Sequence, residues 1–338
     1  MYVRGLAQRL ASRGYLSAVA APGTEPDEYV NSGLTVHRFA SDRRRRLELA
    51  YGVSDEIAAQ GFCAILRKRR PRIVHLHART SAVSERLIDA AHDAGAAVVF
   101  TYHTPTVSCT RGTMMLFGQH PCDGIIEPKR CTVCTLAAHD VPKSLARVAA
   151  FAPSILAARP RKFVGDREWL SFLRTPSLIA GGHRRFNDFM RKVDHIVAVC
   201  QWVREVLERN GVPPERITLS RQGISQVVPR PSPRPARDRR GPLRIGYFGR
   251  IDRAKGPDLL ARAVKLIANV PVEIDIFAVR QTAEPDQVYD WVAAQAQRDT
   301  RLMLRTAVPP EKVISVMADY DLIAVPSRGL ETGPLVAL

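Results

Sequence analysis

Apolar residues recur along this chain in two rhythms, short continuous runs and runs spaced three or four apart. Residues 3–14 place Val3, Leu6 and Leu10 on one face and predict an amphipathic helix stopped by Gly14. Short apolar strands are predicted at 15–21 and 34–39. A polar turn from Arg43 to Arg46 then leads into a helix over 47–68, closed by Arg67-Lys68-Arg69-Arg70 where cations suit its dipole. Strand 73–77, helix 84–95 and strand 97–101 come next, the last running straight into His103. After an interruption at 106–192 the rhythm resumes with strand 194–199, helix 202–210 and strand 217–220.

A second series begins at 243. Strands are predicted at 243–248, 272–278, 302–305 and 320–325, with helices beginning at Pro257 and spanning 285–298 and 309–317. Strand alternating with helix at this spacing predicts parallel, doubly wound sheets. Between the two series lies PRPSPRPARDRRGP at 229–242, extended and with almost nothing to bury, which reads as a linker. We therefore expect an N-terminal domain at 1–228, carrying the insertion at 106–192, then the linker at 229–242 and a C-terminal domain at 243–338. A helix feeding the first strand is unusual in such sheets, so a strand is expected to precede Met1.

Composition narrows the class of partner. Fifty Lys+Arg against 33 Asp+Glu give a formal charge of +17 over 338 residues. Such a charge suits anionic partners: phosphorylated substrates, lipid headgroups or nucleic acid. A solvated surface would also account for it, as it would for the basic runs at 43–46 and 67–70. No apolar run approaches the length of a membrane span and no signal-peptide pattern opens the chain. Six cysteines are too few for a disulfide scaffold, so a cytoplasmic setting is expected.

The candidate chemistry gathers at strand ends. I-G-Y-F-G-R-I-D-R-A-K-G (Ile245 to Gly256) reads as strand, glycine-bearing loop and helix N-terminus, with Arg250 and Lys255 in the loop. Free N–H groups and the helix dipole make this an anion cradle, and the two cations suit a diphosphate. Glu331, on the loop after the fourth strand, offers acceptors for hydroxyl groups such as those of a sugar. Phosphate-binding cations beside a hydroxyl-binding carboxylate suggest a nucleotide-sugar. In the first domain His103 stands at a strand's carboxyl end, where such sheets hold ligands; a histidine satisfied by loop carbonyls is the alternative.

The insertion carries Cys109, Cys122, Cys131 and Cys134, spaced C-x(12)-C-x(8)-C-x(2)-C. Four thiolates among Pro121, Gly124 and Pro128 suit a structural zinc or iron–sulfur site; unliganded thiols or a redox disulfide are the alternatives. Cys63 and Cys200 read as small buried apolar residues. Residues 143–192 mix Trp169, Phe172, Phe186 and Phe189 with arginines including Arg184, Arg185 and Arg191. This stretch suits an anionic membrane surface, or an amphipathic pack against its own domain.

Several motifs resemble glycosyltransferase family 4. They are G-R-I-D-R-A-K-G-P-D-L-L at 249–260, A-D-Y-D-L-I-A-V-P-S at 318–327 and E-T-G-P-L-V-A-L at 331–338 in the second domain. In the first they are V-H-L-H at 74–77, F-T-Y-H-T at 100–104 and D-H-I-V-A-V-C at 194–200. The resemblance implies the α/β GT-B fold: two Rossmann-like doubly wound parallel-sheet domains facing a cleft, the second incomplete. It implies that Arg250 and Lys255 hold the donor diphosphate, with Gly249 and the backbone around Gly333 close to phosphate. His103 and Glu331 would serve the reacting sugar, Glu331 as the first glutamate of an E-x(7)-E motif whose second member would fall one past Leu338. Gln222 stands where the family usually has the asparagine of a proline-asparagine-glycine turn, so only Gly223 is carried over there.

The resemblance further implies retaining transfer from a UDP-, GDP- or ADP-sugar to a glycan or lipid-linked acceptor, with no cofactor required at the phosphates. The expected setting is bacterial surface polysaccharide biosynthesis on the cytoplasmic face of the membrane, since some family members with that role carry similar cysteine-bearing insertions. A nucleotide-sugar epimerase of the same fold is the alternative. A nucleic-acid-binding protein using the charge and the cysteine loop is a distant third, without a recognisable nucleic-acid motif. The family's first strand and its glycine-rich loop are missing before Met1, so a reading frame cut at both ends is expected, and such a fragment need not be active. In-frame stops just before codon 1 and just after Leu338 would overturn that expectation.

Overall fold

The computed structural model describes residues 2–42, 52–151, 174–223, 241–267, 269–280 and 287–337. The chain divides into two compact units, Met1–Ser225 and Gln226–Leu338. The basic turn at 43–46, the expected helix start at 47–51, Trp169, Phe172 and most of the 229–242 linker lie outside the described residues.

The first unit opens with α1 (Tyr2–Ala11), β1 (Ala18–Gly23), β2 (Asp27–Asn31) and β3 (Leu34–Ala40). β1 lies later than the hydrophobic run predicts, because Tyr15 and Leu16 are exposed at 63% and 105% rather than buried in a strand. β2 is invisible to the hydrophobic pattern: D-E-Y-V-N has no apolar alternation, as suits an exposed edge strand. It pairs antiparallel with β3, joined through Ser32 and Gly33, both at positive φ as a tight hairpin demands. β1 pairs parallel with β3 on its other side.

The helix expected over 47–68 is not continuous: residues 52–55 are not helical, and helix α2 (Glu56–Arg69) begins after them. Asp55 explains the correction: its carboxylate accepts the Ala58 N–H at 3.2 Å and fixes the N-cap. The cationic end of α2 is tied to protein groups, Lys68 to Glu28 at 2.5 Å and Arg69 to His37 at 2.8 Å. These contacts fit the helix-end reading of that run.

β4 (Ile73–Leu76), α3 (Glu85–Asp93) and β5 (Ala97–Tyr102) restore the strand–helix alternation. The described residues of the insertion form a short hairpin, β6 (Met115–Leu116) with β7 (His120–Pro121), and helices α4 (Pro128–Ala137), α5 (Lys143–Ala150) and α6 (Thr175–Lys192). β8 (His195–Ala198), α7 (Gln201–Arg209) and β9 (Ile217–Leu219) complete the unit. β4, β5, β8 and β9 pair in that order, all parallel. Val98, Phe100, Tyr102, Ile196 and Ala198 from its central strands are almost wholly buried against Leu87, Ile88, Phe186 and Phe189. The Asp194 carboxylate locks β8 to β5 by accepting the Val98 N–H at 2.6 Å.

The second unit contains β10 (Leu243–Arg250), α8 (Pro257–Leu266), β11 (Val272–Val279), α9 (Gln287–Ala296), β12 (Leu302–Arg305), α10 (Val313–Met317) and β13 (Leu322–Ile323). Helix α10 is shorter than the expected 309–317 because its first turn, Pro310–Lys312, is a 3-10 turn. The strand order is β12-β11-β10-β13, all parallel. Asp275, on β11, is buried yet satisfied, accepting from Tyr320 Oη at 2.6 Å and Arg305 Nε at 2.8 Å. Sequence order reverses between β10 and β13, and in open parallel sheets ligands sit beyond the carboxyl ends at that reversal. Each unit has the Rossmann-like α/β architecture of the GT-B fold.

Candidate functional site

In the second unit two loops leave the reversal point together: Ile251 to Gly256 after β10, and Val325 to Pro334 after β13. Gly256 permits their closeness. It adopts φ +71°, and a Cβ there would stand 2.2 Å from the Pro326 carbonyl oxygen. Arg328 binds the loops to each other. Its backbone N–H donates to the Ala254 carbonyl at 2.8 Å, Nη1 to the Arg253 carbonyl at 2.7 Å, and its fork grips Asp258 at 2.6 and 2.5 Å. The guanidinium in turn holds the Asp258 carboxyl below its usual range.

The sequence-predicted residues meet inside this frame. Lys255 Nζ lies 2.7 Å from Glu331 Oε1, which also accepts the Ser327 hydroxyl at 2.5 Å. The two side chains are 27% and 26% exposed, so the pair is reachable without being fully hydrated. Arg250 Nε lies 3.4 Å from the Asp252 carboxylate, which also receives the Lys255 N–H at 2.9 Å. Gly249 is the next-to-last residue of β10, and Tyr247 beneath it donates its hydroxyl to the Arg250 carbonyl at 2.5 Å. Gly333 comes two residues after Glu331, at φ +118°. Both cations that the sequence offers to a diphosphate are thus held by carboxylates of the same loops, and an anion would take them by exchange.

In the first unit His103 comes directly after β5 at its carboxyl end, but not alone. His75 on β4 and His77 just past it, two apart and so on one face, meet Thr101 on β5 and His103 just past it. His75 Nε2 is 2.7 Å from Thr101 Oγ1, and His77 Nδ1 is 3.1 Å from His103 Nε2. Gln222 Nε2 lies 3.3 Å from the other ring nitrogen of His103. The Tyr2 ring stands edge-on to His103 with centroids 4.5 Å apart. Burial pushes His77 down to about 3 and His75 to about 4, with neighbouring histidine charge adding to the effect, and burial lowers His103 as well. The row is neutral at physiological pH and presents donors and acceptors without charge. Sequence reasoning misses His75, His77 and Gln222, although the V-H-L-H spacing is itself the signal.

This row carries a stability signature. An unfolded histidine titrates near 6.5, whereas His75 and His77 do so near 4 and 3 when folded. Between those values the unfolded chain binds more protons, so stability is full above about pH 6.5 and falls as pH drops. With solvent screening discounted, we expect a loss of about 2 kcal/mol between pH 7 and pH 5. Urea midpoints at the two pH values check it, and His77→Gln should flatten the slope.

Cys109, Cys122, Cys131 and Cys134 line one cavity with Arg111 and Arg130. All four are free thiols; burial raises Cys122, and pushes Cys131 up to about 11. Cys134 Sγ accepts the Phe117 N–H at 3.2 Å. Among the described residues no group of three or more His, Cys, Asp or Glu side chains is placed to hold a metal ion. The four expected ligands, Cys109, Cys122, Cys131 and Cys134, thus share one cavity wall without a grouping of three placed on a single ion. Among the described residues no helix is long and apolar enough to cross a membrane.

Comparison with known proteins agrees with this architecture. Residues 1–223 match the family described as Glycosyl transferase 4-like domain. No curated protein matches the chain. The catalytic domain of Starch Synthase IV from Arabidopsis thaliana bound to ADP and acarbose is similar with a TM-score of 0.52 at 11% identity, over 99% of this chain and 76% of that one. Anabaena Alr3699/HepE in complex with UDP-glucose gives 0.50 at 10% identity, over 96% and 70%. A glycosyltransferase from Rickettsia africae ESF-5 gives 0.50 at 13%, over 96% and 68%. The chain spans 62% of the length of the Anabaena protein in its UDP complex. At these identities the likeness carries the fold, while the family match covers well over half of the sequence. The chain belongs to the glycosyl transferase 4-like domain family and has a glycosyltransferase fold of the GT-B type.

Proposed function

We propose that this protein transfers a glycosyl group from a nucleotide-diphosphate-sugar to a glycan or lipid-linked acceptor, with retention at the anomeric carbon. One observation carries the reading: Lys255, Glu331 and Ser327 converge where the loops after β10 and β13 meet. A diphosphate entering there takes the Lys255 ammonium and the Arg250 guanidinium, which stabilise the charge that grows on the departing oxygens. Glu331, released from Lys255, accepts from sugar hydroxyls. His103, neutral in its row, exchanges its Gln222 contact for a hydrogen bond to the reacting sugar, without a competing charge. No step needs a cofactor on this reading. The family membership supports it, as do fold relatives described as bound to UDP-glucose and to ADP. The reading extends to a cytoplasmic setting and to surface polysaccharide synthesis, which the resemblance of the cysteine-bearing insertion supports.

Thermal shift with UDP-, GDP- and ADP-sugars tests it, together with NMR of the donor sugar during turnover. Stabilisation by at least one of these donors, and product of unchanged anomeric configuration, is the expected result. No stabilisation by any of them sinks the reading, and an epimerised sugar formed without acceptor replaces it by the isomerase reaction.

A further inference from the structure

Helix α5 (Lys143–Ala150) is built inside out. Its inward face is Ala146, Ala149 and Ala150, all buried, while its large apolar residues point to solvent: Leu145 is 58% exposed, Val148 73%, and Phe151, just past the helix end, 68%. Spaced three apart, these three fall within about a third of the helix circumference. Solvent gives no reason to display them, and a helix needing only to pack on its own unit would turn them inward.

Cations border this face. Lys129 Nζ sits 4.1 Å over the Phe151 ring and Lys143 Nζ 4.6 Å over the Phe117 ring, while Arg147 is exposed beside Val148. Residues 141–151 contain no carboxylate, and the whole chain carries a formal charge of +17. A border of one sign complements an anionic surface. A lipid surface uses it: apolar side chains enter the acyl boundary while lysine and arginine stems lie along them and keep their charges at the headgroups.

We infer that the outer face of α5, with Leu145, Val148 and Phe151 inserted and Lys129, Lys143 and Arg147 on the headgroups, docks this protein on an anionic membrane leaflet. The inference stands apart from the transfer reaction, since it needs neither donor nor turnover. Flotation with phosphatidylglycerol vesicles and with phosphatidylcholine vesicles tests it on the whole chain. Wild-type protein should float with the first and not the second, and should be released by high salt. Replacing Lys129, Lys143 and Arg147 together by glutamine should weaken binding on the order of a hundredfold, about fivefold for each cation. The combined Leu145→Ser, Val148→Ser and Phe151→Ser variant should lose flotation while keeping the wild-type melting temperature, because all three residues are exposed. Equal binding to both lipids, no binding to either, or wild-type flotation of the serine variant would overturn the inference. So would self-association that the serine variant abolishes, which would make a second copy of the chain the occupant.

Discussion

Lys255→Ala is expected to lower kcat/KM for glycosyl transfer by about a hundred- to a thousandfold, the usual cost of removing one fixed stabiliser of developing charge. The loss should fall mainly on kcat, because the diphosphate bears more charge as it departs than when bound in the intact donor. Stability should barely change. The Lys255–Glu331 pair is about a quarter exposed on each side, Ser327 still satisfies Glu331, and such pairs contribute about 1 kcal/mol or less. Lys255→Arg should recover only part of the rate, since a planar fork does not occupy the place of a point charge against Glu331. Steady-state kinetics with melting curves separate these effects. An alanine variant within about threefold of wild type would remove Lys255 from the leaving-group role.

The second large effect is structural. Gly256→Ala should destabilise the unit Gln226–Leu338 by about 3 kcal/mol, combining a left-handed backbone at a residue with a Cβ and an overpacked contact. The added carbon would stand 2.2 Å from the Pro326 carbonyl oxygen, and backbone on both sides must yield. For a unit of this size the melting transition should drop by roughly 10 °C or more. Any donor-induced stabilisation should vanish with it, because the loops carrying Lys255 and Glu331 are the ones forced apart. Gly241→Ala is the control: its Cβ would meet nothing within 4 Å and its φ is unstrained. Equal melting of the two variants would refute the close approach.

The alternation of strands and helices is readable because both sheets are buried on two faces, and their strands therefore run apolar without a break. β2 escapes because an edge strand exposed on both faces has no such requirement. The start of α2 is misplaced because apolar periodicity continues past a point where a single Asp55 cap decides the matter. At the site, Arg250, Lys255 and Glu331 can be picked out as charges on loops at strand ends. The pairing of Lys255 with Glu331 cannot, since it is a contact across 76 residues of sequence. Arg328 and Asp258 pass unnoticed for the same reason: each looks like an ordinary surface charge until the fold brings them to 2.5 Å. The cysteine spacing brings four thiols into one insertion, but only the fold sets them on the wall of a single cavity.

Arg328 has a mechanical consequence. One side chain spans the first turn of α8 and the carbonyl of Arg253, while its own backbone is anchored on Ala254. The loop after β10 and the loop after β13 are thereby riveted into a single plate. A load applied to either is transmitted to the other, so the two halves of a donor would be sensed as one object rather than by two fingers closing separately.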